Sequence, residues 1–243
     1  MTSLPPTPRR ALAIMAHPDD IEFMAGGLMA RWAREGTELH YCLLTDGQSG
    51  SRDVSVSPIE LAKTRRQEQQ NAGALLNVAS CTFLGQTDGR LFHTLNLRIA
   101  VARVIRQVRP DAVVTSDPQS LYSPNYINHP DHRAAGEIAL SAIMPVANTY
   151  LAAPELAAEG LEPHDVGHVY IARPARPTLW MPIEPQDFEK QLETMQAHRS
   201  QIGNWDFADM LRNFGKQAAD EARQHGYEYK LAEPYVYVKL RDA

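Results

Sequence analysis

The feature that most constrains this chain is the regular alternation of short apolar runs with longer helical patterns. "ALAIMA" (11–16), "ELHYCLLT" (38–45), "CTFLG" (81–85), "DAVVTS" (111–116) and "HVYIAR" (168–173) are short, apolar or β-branched, and bounded by turn residues. That is the pattern of buried strands. Between them stand helices with marked ends. In "SPIELAKTRRQEQQNAGALL", Ser57 is placed to cap, Pro58 suits the first helical position and Glu60 completes a capping box. "LNLRIAVARVIRQV" sets Leu97, Val101, Val104, Ile105 and Val108 on one face and ends before Pro110. Strands joined by crossover helices cannot pair as hairpins. The expected fold is therefore α/β, a Rossmann-like, mostly parallel sheet with helices on both faces.

This topology predicts where the chemistry lies, because such sheets bind ligands at the carboxyl ends of their strands. His17 follows the first strand, Asp46 the second, the 86–90 loop the third, and the 117–132 segment the fourth. Four polar loops distant in sequence are thus expected at one edge. Beyond about residue 145 the pattern loosens. An extended excursion is expected over 147–165, then a strand, a helix over 184–202, a second helical stretch over 207–225, and a late strand in "PYVYVKL". With no internal repeat and no low-complexity linker, residues 1–243 read as one domain with a less regular C-terminal elaboration.

Composition narrows the class of partner. At 243 residues, with 44% hydrophobic and 22% charged residues, the chain has the make-up of a globular domain. A net charge of -5 provides no clustered basic footprint for nucleic acid. The apolar run after the N-terminal Arg pair is too short for a signal peptide, and no stretch approaches the roughly 20 apolar residues of a membrane span. The expectation is a cytoplasmic protein acting on a small molecule, with homo-oligomerisation left open. Cys42 and Cys81 each sit in an apolar run without a metal-spaced partner and read as buried strand thiols.

Two motifs carry potential chemistry. "His17-Pro18-Asp19-Asp20" supplies a histidine and two carboxylates at a strand-to-helix turn, and "His129-Pro130-Asp131-His132" supplies a second histidine pair at another. Read alone, each also fits an ordinary helix start, since Asp at a helix N-terminus caps and complements the dipole. Placed together at one sheet edge, they provide the nitrogen and oxygen donors of a catalytic metal site with an open position. Residues three apart at a helix start share a side, so His17 and Asp20 can grip one ion while His132 closes from the other loop. Glu22 reads as a buried or capping helix residue.

"AHPDDIE" with its following glycine pair, and "HPDH" about 110 residues later, resemble the LmbE-like, or PIG-L, family of zinc-dependent N-acetylglucosaminide deacetylases. The likeness extends to "LLTDGQSG", where Gln48 replaces a usual Glu, and to "TRRQEQQNAGALLNV", where Asn77 replaces a usual Gly. It also takes in "LGQTDGRL" and "AHRSQ". It covers roughly residues 10 to 202. Carried over, it implies that His17, Asp20 and His132 ligate the metal, that Asp19 is the general base, and that His129 stabilises the developing oxyanion. Arg65 and Asp88 are implied to face the sugar, and Tyr126 and His198 are weaker candidates for substrate contact. The implied reaction is hydrolysis of an N-acetylated amino sugar or glycoconjugate, with Zn2+ as the ion and Fe2+ or another divalent ion as alternatives. The 118–128 and 145–165 loops are where substrate choice would reside.

Three other readings compete. A family amidase of the thiol-conjugate type would cleave a different amide. Two histidines and a carboxylate also form the facial triad of non-haem Fe(II) oxygenases, although those favour β-sandwich scaffolds. A dinucleotide-binding module would need a Gly-x-Gly-x-x-Gly fingerprint, and residues 25–27 offer only Ala-Gly-Gly.

Overall fold

A computed structural model describes residues 4–241, so the outermost residues of the 1–243 domain expectation lie outside it. The first part of the chain runs β1 (Arg10–Met15), α1 (Asp20–Arg34), β2 (Glu38–Thr45), α2 (Pro58–Ala74), β3 (Ser80–Gln86), α3 (Leu95–Val108) and β4 (Ala112–Ser116). A small hairpin of β5 (Tyr122–Ser123) and β6 (Tyr126–Ile127) precedes α4 (Pro130–Ser141). After a π-helical turn at Ala142–Ala147 come α5 (Pro154–Ala158), β7 (His168–Ala172) and β8 (Leu179–Pro182). The chain finishes with α6 (Pro185–Gln196), α7 (Arg199–Ile202), α8 (Phe207–Gln224) and β9 (Ala232–Lys239).

The main sheet has the order β3-β2-β1-β4-β7-β9-β8. Its first five strands are parallel, as the alternation predicts. The last two are not: β9 runs antiparallel to β7, and β8 antiparallel to β9. Strand order reverses between β1 and β4, which makes the gap between them the topological switch point where open α/β sheets bind ligands.

The strands read as unbroken apolar runs because both sheet faces are covered. Leu12 and Ile14 of β1 join Cys42, Val113 and residues of α3 and α4 in one core layer. Ala11, Ala13 and Met15 pack on the other side with Leu28, Met29 and Trp32 of α1. The period-two alternation of a strand divides the residues in this way, and each fully buried Leu or Ile contributes about 1.5–3 kcal/mol.

Several local expectations need correction. β8, four residues that end in Pro182, is too short to stand out in the sequence. The 147–165 segment is not wholly extended, since α5 lies inside it. The helix expected over 184–202 breaks at Ala197 and His198 into α6 and α7. The capping box is half formed: Ser57 Oγ accepts the Glu60 N–H at 3.5 Å, whereas the Glu60 carboxylate pairs with Lys63 at 2.8 Å. Cys42 is buried but Cys81 only partly so; burial pushes both thiols up to about 12. Among the described residues no helix is long and apolar enough to cross a membrane.

One element departs from regularity where it matters for the site. α1 is kinked at Ala25, whose backbone is non-helical (φ -146°, ψ 17°). Beyond the kink the N–H groups of Gly27 and Leu28 donate to the Glu233 carboxylate of β9, at 2.8 and 2.9 Å. On the other side, the Glu22 carbonyl accepts from Gln191 of α6 at 2.9 Å. Side chains from the C-terminal part therefore satisfy the polar backbone that the kink exposes. The glycine pair permits the approach, since a Cβ on Gly27 would lie 2.6 Å from Ile183 and 2.9 Å from Glu233.

Candidate metal centre

β1 delivers the chain to the switch point, where His17, Pro18 and Asp19 form the turn into α1. Asp19 is held at φ 95°, a left-handed conformation, and its side chain makes no cap bond. The cap reading of this aspartate is thereby corrected. Such a backbone costs a non-glycine residue about 1–3 kcal/mol and persists only where its surroundings fix it. Here they do. The Arg65 guanidinium donates to the Pro18 carbonyl at 2.6 Å, the Gly47 carbonyl at 2.8 Å and Asp19 Oδ2 at 3.1 Å. The Asp19 N–H donates to Gln69 Oε1 at 3.0 Å, and Asp20 Oδ2 accepts the His17 N–H at 2.8 Å.

The second motif opens α4. Pro130 occupies the first helical turn and His129 is the N-cap, its Nδ1 accepting the Asp131 N–H at 3.2 Å. In the neutral ring this places the proton on Nε2, so His129 presents an N–H donor. His132 Nε2 lies 3.1 Å from Asp20 Oδ1, and its Nδ1 is bonded to Asn128 Oδ1 at 3.0 Å. The Asp20 carboxylate also faces His17 Nδ1 at 3.3 Å. Donor atoms on a tetrahedral zinc, with bonds of about 2.0–2.1 Å, stand roughly 3.3–3.4 Å apart. The spacings around Asp20 fit such an ion.

The other side of His17 is equally specified. Its Nε2 lies 3.2 Å from Asp88 Oδ1 and 3.4 Å from Asp131 Oδ2. Asp131, 1% exposed, further accepts the N–H groups of Gly89 and Leu91 at 2.7 and 3.2 Å, and Asp88 accepts the Ser49 N–H at 3.0 Å. These bonds tie the four predicted loops to one another. Among the described residues, His17–His129–His132 and His17–Asp88–Asp131 are the two clusters whose potential ligand atoms lie within 4.8 Å of one another. Because Asp88 and Asp131 are engaged by backbone N–H groups, they suit the task of orienting the His17 ring, as carboxylates behind metal-bound histidines do. Asp20, between the two rings, suits ligation.

The charges follow from this arrangement. Burial would lower the His17 pKa, yet Asp20, Asp131 and Asp88 together hold it well above its ordinary value. Burial likewise opposes ionisation of Asp20, but His132 and His17 keep it well below the usual carboxylate range. Asp19 differs from its neighbour. Burial pushes its carboxyl up to about 6, with Arg65 pulling the other way and Asp20 adding to the rise. Adjacent carboxylates thus have opposite tendencies, the signature of divided roles. Burial, then His17, lowers the His129 pKa and keeps that ring neutral.

The structure brings His17, Asp19, Asp20, Asp88, His129 and His132 together. It gives three of the expected substrate contacts other surroundings: Asp88, buried, faces His17 and the Ser49 N–H rather than an open edge. Arg65, 4% exposed, is turned inward to the Asp19 turn. His198 is fully buried, its Nε2 3.1 Å from Glu22 Oε2; Glu22 in turn accepts from Gln69, which holds Asp19. His198 therefore lies behind the site. Glu22 is buried, as expected. Tyr126 stands exposed on the β5–β6 hairpin. Sequence reasoning did not single out Asp131 or Gln69; the position of Asp131 inside the HPDH motif was the available signal. A groove of about 310 Å³ opens beside the end of β2, walled by Asp46, Gln48, Ile59 and Arg66 among others.

Comparison with known proteins gives the chain's family. The PIG-L family model, described as GlcNAc-PI de-N-acetylase, matches residues 12–143. The diacetylchitobiose deacetylase of Thermococcus kodakarensis is 32% identical over 194 residues, covering 80% of this chain and 70% of that one. The solved N,N'-diacetylchitobiose deacetylase of Pyrococcus horikoshii superposes with a TM-score of 0.86 at 25% identity, covering 96% of this chain and 84% of its own. The 4-carboxy-2-hydroxymuconate hydratase of Pseudomonas putida shares the fold, with a TM-score of 0.77 at 23% identity and coverage of 97% and 98%. Given a family match over more than half of its length and a relative that aligns along four fifths of it, this chain belongs to the PIG-L family.

Proposed function

We propose that this protein is a metal-dependent N-deacetylase that releases acetate from an N-acetylated amino sugar or its conjugate, with zinc as the ion. The observation that carries the reading is the division between adjacent aspartates: Asp20 faces both His17 and His132, while Asp19, turned by its left-handed backbone, is held apart from them by Arg65 and Gln69. The relatives bearing the names of diacetylchitobiose deacetylases indicate the substrate class. His17, Asp20 and His132 are the residues that would hold the divalent cation, which when bound would supply Lewis acidity toward water and an amide carbonyl.

The chain's own residues account for the rest. Asp88 and Asp131 take the Nε2–H of His17 and turn Nδ1, the nitrogen that would hold a cation, toward Asp20. Asp19, with a carboxyl near 6, accepts the proton of the attacking water and holds it for the departing amine. Arg65 fixes the direction of that carboxylate. His129 Nε2–H donates to the acyl oxygen as negative charge develops there, an interaction that strengthens between ground state and transition state. The new C–O bond forms, the C–N bond breaks, and the proton passes to nitrogen, giving acetate and a free amine. We further propose that residues 1–243 act as one domain, because β9 near the C-terminus pairs with β7 of the main sheet.

The test is acetate and amine release from N,N'-diacetylchitobiose and N-acetylglucosamine conjugates with protein loaded by a single defined metal. Turnover with zinc that is lost in Asp20→Asn supports the reading. Zinc-loaded protein that releases acetate from none of these compounds overturns it.

A further inference from the structure

Asn128 joins the β5–β6 hairpin to α4: it follows β6 and precedes His129. The hairpin has little of its own to hold it. Its ladder is two residue pairs, Tyr122 with Ile127 and Ser123 with Tyr126, and Tyr122, Tyr126 and Ile127 are all exposed. A two-stranded hairpin of this kind is marginal in water unless the rest of the fold fixes it. Asn128 ties its base twice. The backbone N–H donates to the Leu121 carbonyl at 3.0 Å, and Nδ2 donates to the Ser120 carbonyl at 2.7 Å.

The same amide reaches the metal centre, where its Oδ1 lies 3.0 Å from His132 Nδ1. An amide presents donors at one end and an acceptor at the other, and the Ser120 carbonyl, which can only accept, decides which end is which. Nδ2 has to face Ser120, so Oδ1 has to face His132. An oxygen that only accepts requires the proton of a neutral His132 ring to sit on Nδ1. The lone pair is then on Nε2, 3.1 Å from Asp20 Oδ1, on the side where a cation would be held. A backbone carbonyl of the hairpin thus sets the tautomer of a candidate ligand. His17 is oriented by other means, since Asp88 and Asp131, both engaged by backbone N–H groups, take its Nε2–H. His17 owes its orientation to carboxylates of the fold, His132 to the hairpin.

We propose that Asn128 is a positioning residue that couples the hairpin to the metal centre, so that seating the hairpin and holding the cation favour each other. The coupling rests on the metal centre read above, and by linkage it is reciprocal. Zinc affinity by chelator competition, and deuterium exchange of the 121–128 backbone with and without zinc, test it in wild type, N128A and N128D. Alanine loses both side-chain bonds. Zinc binding in N128A is expected to weaken about 10–100-fold, as when other partners behind metal-bound histidines are removed, and its hairpin to exchange faster in metal-free protein. Aspartate keeps an acceptor for His132 Nδ1–H but has no donor for Ser120. N128D is therefore expected to hold zinc within about threefold of wild type and to exchange in the hairpin as fast as N128A. Zinc is expected to slow hairpin exchange in wild type and to leave it unchanged in both variants, an effect that loss of a purely structural contact would not produce. Zinc binding in N128A equal to that of wild type, or hairpin exchange that zinc slows equally in wild type and N128D, overturns the proposal and leaves the deacetylase reading intact. If N128A does not fold, N128D decides, since it keeps the acceptor for His132 and removes only the tether. Wild type whose zinc binding depends on Asn128 but which releases no acetate overturns the deacetylase reading and leaves the coupling in place.

Discussion

At the scale of single residues, the centre depends on two neighbouring aspartates made different by their surroundings. Asp19 must be ionised to take a proton, and its folded pKa is raised to about 6. Catalysis is therefore expected to be present above that pH and lost as pH falls through it, measured as kcat/KM on a neutral substrate. Asp19→Asn is expected to lower kcat about 10²–10⁴-fold while retaining one bound zinc per chain by metal analysis; Asp20→Asn is expected to lose the zinc. The histidines and aspartates of both motifs are legible in the sequence because few residue types ligate metals. The orientations of Arg65 and His198 are not. A long side chain on a helix faces substrate or core according to what packs on that helix, and here α7 packs on α2: Glu68 accepts from Ser200 N and Oγ at 2.7 and 2.6 Å.

At the scale of elements, the two helices that bear the site are placed by close contacts with the sheet and with the C-terminal part. Gly136 of α4 approaches β4 so nearly that a Cβ would stand 2.2 Å from the Ser116 carbonyl oxygen. Gly136→Ala is expected to cost about 1–3 kcal/mol in denaturant unfolding. It should also weaken zinc binding, since α4 carries His129 and His132. In α1 the kink is served by Glu233, whose pKa burial raises against the opposing pull of Tyr235 and the Gly27 and Leu28 N–H groups. A carboxyl with a raised folded pKa contributes stability that is fully present below its unfolded value, about 4.3, and is lost as pH rises through the folded value. The stability of wild type relative to Glu233→Gln is accordingly expected to decline from about pH 4 toward neutrality, compared by urea unfolding at each pH. Glu233→Ala strands two backbone donors and the Tyr235 hydroxyl and should cost about 3 kcal/mol or more. None of this was legible from α1 itself, whose sequence reads as an ordinary acidic start followed by a glycine pair.

At the scale of the whole molecule, the late strand is an internal part of the sheet, since β9 pairs with β7 on one side and β8 on the other. Removing residues 204–243 exposes the β7 edge and withdraws Glu233 from α1; the shortened chain is expected to show no cooperative unfolding transition by circular dichroism. Metal binding should act on the same global equilibrium: zinc at a hundred times its dissociation constant adds about 2.7 kcal/mol to the stability of wild type and nothing to that of Asp20→Asn. The sequence by itself determined the parallel half of the sheet, the edge where four loops meet, and the residue types of the centre. These follow from hydrophobic periodicity and from the chemistry of a few side chains, which are local properties of the chain. Tertiary structure alone decided that β8 and β9 run antiparallel, that α1 kinks onto Glu233 and that Arg65 serves Asp19. Each of those outcomes rests on a contact between residues distant along the chain, and pairing, burial and charge compensation are settled only where such residues meet.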